Sequence, residues 1–128
     1  MARGRREEKI SLREEQTMTT ITDEFMRERI GAARQYCVVI LRHGPNKQME
    51  GADTIIWEHG RRNMALNQDG VLSIVCPIAD GSDLSGVGIF HASLEETRRI
   101  MDEDPGVKAG VFVYEAHVCR GFPGDRLP

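Results

Sequence analysis

The chain has 128 residues, 40% of them hydrophobic and 29% charged, with a formal charge of −3. This length suits one domain with a single core, and the apolar content is too high for disorder throughout. The acidic balance speaks against a general phosphate-backbone binder, and no apolar run approaches the roughly 18 residues that a membrane-spanning helix needs. Cys37, Cys76 and Cys119 are an odd, widely spaced set without a CxxC pair. They form neither a disulfide framework nor a structural zinc site, so no metal is expected and a reducing cytoplasm is the natural setting.

Residues 1–20 mix five Lys/Arg with four Asp/Glu and have almost no apolar content. They lack the apolar stretch of a signal peptide, and Glu7, Glu8, Glu14 and Glu15 offset Arg3, Arg5 and Arg6. A solvated, disordered tail is expected, with Met18 as an alternative start of translation. Residues 21–35 then read as a short amphipathic helix that packs on the domain. Thr22 is its N-cap, Asp23 and Glu24 lie in its first turn, and Phe25, Met26, Ile30 and Ala33 form one apolar stripe.

The main domain, residues 36–128, opens at Tyr36. The run Cys37–Leu41 is a β-branched apolar strand closed by the turn residues Gly44, Pro45 and Asn46. A helix is predicted over Thr54–Asp69, ended by Gly70, and a second strand over Val71–Cys76. Asp80–Asp83 is a loop, Val87–His91 the third strand, and Ser93 with Glu96 fits a capping box for the next helix. That helix stops before Pro105, and Val111–Val118 is the fourth strand.

The order βαββαβ predicts an α+β, ferredoxin-like fold with a four-stranded antiparallel sheet and an extra N-terminal helix. Both main helices then cover one face. Strands one and four are nevertheless apolar on both faces: in strand four, Val111 and Val113 alternate with Phe112, Tyr114 and Ala116. A sheet with one wet face should alternate apolar with polar, so a homodimer is expected to cover the second face.

His59 is the most informative side chain. On a helix advancing about 100° per residue it falls between Leu66 and Ile56 in the apolar arc, facing the sheet. Imidazole exchanges protons near neutral pH, which suits a general acid or base, while a core histidine bonded to a carbonyl is the plainer role. Asp80, just beyond strand two, is the expected partner that fixes the tautomer, although Asp80-Gly81 is also ordinary turn chemistry. Cys76 before Pro77 faces the same pocket or is simply a small buried residue. Arg62 leans over the pocket mouth toward an anionic substrate or, with Arg61, is a solvated flank. His91 and His117 end strands three and four at one rim, but two histidines do not make a metal centre. Asp104 before Pro105 reads as a helix-terminating turn. Ser85–Phe90 echoes the third-strand motif of the RNA-recognition module, yet the base-stacking aromatics are absent, so nucleic acid is not an expected partner.

These pieces together resemble the YCII-related family of the dimeric α+β barrel superfamily, from Tyr36 through His117. The resemblance rests on Gly44-Pro45-Asn46, His59 ahead of Gly70, Val71-Leu72 with Pro77 and Asp80, and above all Asp104-Pro105-Gly106-Val107-Lys108-Ala109-Gly110. It implies a barrel-like dimer and a pocket whose His–Asp pair maps onto His59 and Asp80. One relative is similar to a dehydrochlorinase of chlorinated hydroxyhydroquinones, a cofactor-free acid–base elimination. Cys76 departs from the glycine common in the family, and its side chain would narrow the pocket.

The resulting expectation is a cofactor-independent lyase- or isomerase-type enzyme acting on a small polar or aromatic molecule. His59 and Asp80 are its catalytic pair, and Arg62, Asn63 and Cys76 are its substrate contacts. The alternatives are a non-catalytic small-ligand or regulatory module, and a structural dimer that binds partners through residues 1–35.

Overall fold

The computed structural model describes residues 18–128, so most of the expected tail lies outside the described residues. The chain divides into two units between Ala32 and Ala33. The first contains α1, Asp23–Ala32, whose Thr22 Oγ1 accepts from the Phe25 amide at 3.1 Å, as an N-cap does. The helix ends three residues earlier than its apolar stripe predicts. Arg34 and Gln35 instead pair with Gly121 and Arg120, because the last strand is longer than its apolar core suggests.

The second unit runs β1 (Arg34–His43), α2 (Ala52–Gln68), β2 (Leu72–Pro77), β3 (Leu84–Phe90), α3 (Leu94–Asp102), α4 (Pro105–Lys108) and β4 (Phe112–Gly121). The strand order is β2-β3-β1-β4, with every neighbouring pair antiparallel. This is the α+β ferredoxin-like arrangement expected from the element order. The additional one-turn helix α4 arises from Asp104-Pro105: aspartate caps it, and proline sits at the first helical position, where no amide hydrogen is needed. Ser93 Oγ accepts from the Glu96 amide at 3.1 Å and starts α3 as predicted.

Register fixes the two faces. Cys37, Val39 and Leu41 pair with Phe90, Gly88 and Gly86 on one side and with Val118, Ala116 and Tyr114 on the other, so these residues share the helix-covered face. The core gathers there: Cys37, Val39, Leu41, Leu72, Phe90, Met101, Val111 and Phe112 are all buried. Val111, expected beside Val113 on the opposite face, precedes β4 and belongs to this core, whereas Val113 is exposed. The opposite face carries Val38, Ile40, Ile74, Val87 and Ile89, all half-buried. It is more apolar than water-facing sheet usually is.

No helix among the described residues is long and apolar enough to cross a membrane. One core position is imperfect. Thr97 of α3 is 0% exposed and its hydroxyl has no hydrogen-bond partner. Thr97→Val keeps the shape and removes the unpaired group, so it should raise the unfolding free energy by about 1 kcal/mol in urea melts. A loss of stability would show that the hydroxyl is bonded.

Candidate active site

His59 is carried into the interior by the helical period of α2, as the wheel predicts, and is 8% exposed. Its ring lies 4.7 Å from the Phe112 ring, centroid to centroid, at 51°. Its carboxylate partner is Asp104, not Asp80: Nδ1 lies 2.8 Å from Asp104 Oδ1. Asp104 is 1% exposed, and its second oxygen accepts from the amides of Gly106 at 2.9 Å and Val107 at 3.2 Å. One carboxylate therefore caps α4 and holds the imidazole at once. A carboxylate only accepts, so Nδ1 carries the ring proton and Nε2 is left as an acceptor. The Asn63 amide donates to it at 3.1 Å, one helical turn further on.

Burial alone would push the Asp104 carboxyl up. The hydrogen bond to His59, the charge that ring carries when protonated, and the amides of Val107 and Gly106 outweigh it and hold the group below the ordinary carboxylate range. Arg62 adds to this arrangement from behind. Its Nη1 donates to the Ile100 carbonyl at 2.7 Å and lies 3.7 Å from Asp104 Oδ1. Arg62 thus bridges α2 to α3 and does not lean over a pocket mouth.

Asp80 cannot orient His59. It lies in the exposed loop after β2, where its Oδ1 accepts from the Ser82 amide at 3.0 Å and the Ser82 hydroxyl at 2.6 Å. These bonds, the hydroxyl's first, lower its pKa and make it a turn residue.

A cleft of about 830 Å³ separates α2 from β2 and β3, with His59 and Asn63 in its wall. Cys76 borders it, but the thiol is exposed and pairs in register with Val87 on the open face. The register shift between Leu72 and Ile74 moves the residues after it to the other alternation, so Leu72 and Val75 point to the helices while Cys76 does not. His91 packs against Tyr36 at 5.5 Å, and His117 sits inside β4, 3.5 Å from Glu115, not at its end. Among the described residues, no group of three His, Cys, Asp or Glu side chains is placed to hold a metal ion.

The partner of His59 that sequence reasoning missed is Asp104, although a signal for it was there. An aspartate N-cap directs one oxygen at amides and leaves the other free, and this one lies in the most specific segment of the family resemblance.

No protein-family model and no curated protein sequence matches the chain. Among solved structures, the chain is similar to 5-chloro-2-hydroxyhydroquinone dehydrochlorinase from Burkholderia phenoliruptrix AC1100, in complex with 2,5-dihydroxybenzoquinone. The identity is 21%, the TM-score 0.42, and the match covers 69% of this chain and 95% of that one. At that distance, fold and chemistry rest on this chain's own geometry.

Proposed function

We propose that this chain is a YCII-related acid–base enzyme that needs no cofactor and acts on a small polar or aromatic molecule, with His59 as the catalytic group. The observation that carries this reading is the buried His59–Asp104 pair, whose histidine lines an open cleft together with Asn63. Nε2 takes a proton from a substrate O–H or activated C–H, and the electron pair left behind expels a leaving group or shifts within the substrate. Asp104 stabilises the imidazolium without itself taking the proton. As Nε2 gains hydrogen, Asn63 turns its amide so that Oδ1 accepts. The proton then passes to the product or to water. Asp104 and Arg62 act through His59 and are positioning residues.

The dimer belongs to the same proposal. Its support is the half-buried apolar strip Val38, Ile40, Val87 and Ile89 on the face away from the helices, and sedimentation of the full chain tests it.

Turnover of a panel of hydroxylated aromatics and activated carbonyl compounds tests the chemistry. At least one should react, and His59→Gln should lower kcat by about 10²- to 10⁴-fold. Unchanged turnover in His59→Gln would overturn the assignment. One observation favours a second reading, a pocket that binds without chemistry: Asn63 already occupies Nε2. Saturable binding that survives in His59→Gln, with no turnover by the parent, would select it.

A further inference from the structure

Two large apolar side chains in the lining of the cleft are exposed, Met64 of α2 at 73% and Leu127 at 69%. Leu127 belongs to residues 122–128, which follow β4 and form neither helix nor strand. β4 and β2 are opposite edges of the sheet, and the cleft lies on the β2 side, against β2 and β3. The segment therefore crosses up to three strand spacings, about 14 Å, and six extended residues reach about 20 Å. It leaves from the matching end of the sheet. Gly121 pairs with Arg34, beyond the row in which Val118, Cys37, Phe90 and Leu72 pair in turn, and Leu72 begins β2. Phe122 is half-buried, and the chain then turns: the Asp125 amide donates to the Phe122 carbonyl at 3.0 Å, with Gly124 at a φ of 99°.

Leu127 is a wall of the cleft and not its plug, because about 830 Å³ stays open with the segment in place. Among the described residues, none of those lining the cleft is Lys, Arg, Asp or Glu, and Asp125 and Arg126 beside Leu127 are outside the lining. An anion entering here would lose hydration without meeting a cation, which is strongly unfavourable. The floor on β3 is bare backbone at Gly86 and Gly88, opposite Leu41 and Val39. A cleft so lined favours an uncharged, largely apolar molecule. Met64 and Leu127 are its apolar groups still in water, and they lose that exposure by covering such an occupant. Leu127 rides on a segment outside helix and sheet, so its movement breaks no ladder, and methionine's unbranched chain adapts to what lies beneath it.

We propose that residues 122–128 are a lid of this cleft. Leu127 closes, together with Met64, over an uncharged and largely apolar ligand, and both side chains are buried only in the complex. This rests on the reading that the cleft beside His59 is a ligand site, and it adds the class of the ligand and the segment that completes the site.

Two fluorescent probes with one ring system test it: neutral N-phenyl-1-naphthylamine and its sulfonate, 1-anilinonaphthalene-8-sulfonate, titrated into the full chain. The neutral probe should bind the parent about tenfold or more tightly than the sulfonate. Leu127→Ala and Met64→Ala replace exposed side chains, so the fold stands, and each should weaken the neutral probe about three- to tenfold. In stopped flow the loss should lie in faster dissociation. Leu127→Met, which keeps the apolar volume, should bind within about twofold of the parent. The Leu127 methyl NMR signals should shift on saturation with the neutral probe. Unchanged affinity in Leu127→Ala, tighter binding there (a plug removed), a sulfonate as tight as the neutral probe, unmoved Leu127 methyls, or no binding of the neutral probe would each overturn the proposal. Repeating the titrations in His59→Gln keeps the lid apart from the chemistry. The same pattern there supports the lid even if no turnover exists, and turnover without the pattern rejects the lid alone.

Discussion

Asp104→Ala is expected to lower the unfolding free energy by about 3–5 kcal/mol, the largest effect of any polar substitution among the described residues. The change deletes one side chain but orphans three partners: His59 Nδ1 and the amides of Gly106 and Val107. Water reaches these partners poorly, because His59 and Gly106 are buried and Val107 is half-buried. The same carboxylate gives stability a pH dependence of defined sign. Its pKa is lower in the folded chain than in the unfolded one. Its contribution is therefore fully present above the unfolded value, about 4, and is lost as pH falls through the folded value. Urea melts of the parent should weaken over that acid range, and Asp104→Asn should show less of this loss. A parent as stable in acid as at neutral pH would contradict a paired, ionised Asp104.

Gly44→Ala is expected to cost about 2–3 kcal/mol, for a reason of space. A Cβ there would lie 2.3 Å from the carbonyl oxygen of Gly110, and backbone cannot swing aside as a side-chain tip can. The close approach is also bonded: Gly44 donates to the Val111 carbonyl at 2.8 Å, Asn46 N to the Gly110 carbonyl at 2.9 Å, and Asn46 Nδ2 to the Ala109 carbonyl at 2.8 Å. The turn after β1 thereby pins the segment that follows α4, and two pieces of the family resemblance prove to be one contact. Gly60→Ala in α2 is the contrasting substitution. Nothing lies within 4 Å of its Cβ, so helix propensity alone should add about 0.5–1 kcal/mol. Thermal or urea melts of the two variants should move in opposite directions, and equal shifts would refute the steric account.

The difference between what was legible and what was not follows from the range of the forces involved. His59 was legible because the face it occupies depends only on the helical period of α2. The element order and the two-faced apolar strands were legible for the same local reason. Asp104 was hidden by its own local role: capping α4 explains an Asp-Pro pair completely, and nothing nearby in the chain announces that Oδ1 reaches a histidine 45 residues earlier. Asp80 attracted the assignment because it follows a strand end beside α2, but adjacency along the chain says nothing about depth, and Ser82 satisfies it at the surface. The orientation of Cys76 was hidden by register, since the shift after Leu72 exchanges the two faces. Gly86 and Gly88 were visible as an echo of an RNA-binding motif. Their meaning as the floor of a cleft appears only once α2 lies above them.

The most direct test of the His59–Asp104 pair as a proton-exchanging site is ¹⁵N NMR of the full chain with labelled imidazoles, read for the tautomer of neutral His59. Free histidine favours the proton on Nε2. The geometry here requires it on Nδ1, donated to Asp104, with Nε2 left as the acceptor toward Asn63. A Nδ1–H signal for His59 that is lost in Asp104→Asn is the predicted result. A Nε2–H tautomer in the parent would mean that the ring turns its proton toward Asn63 and its lone pair inward, and the acid–base assignment would fall with it.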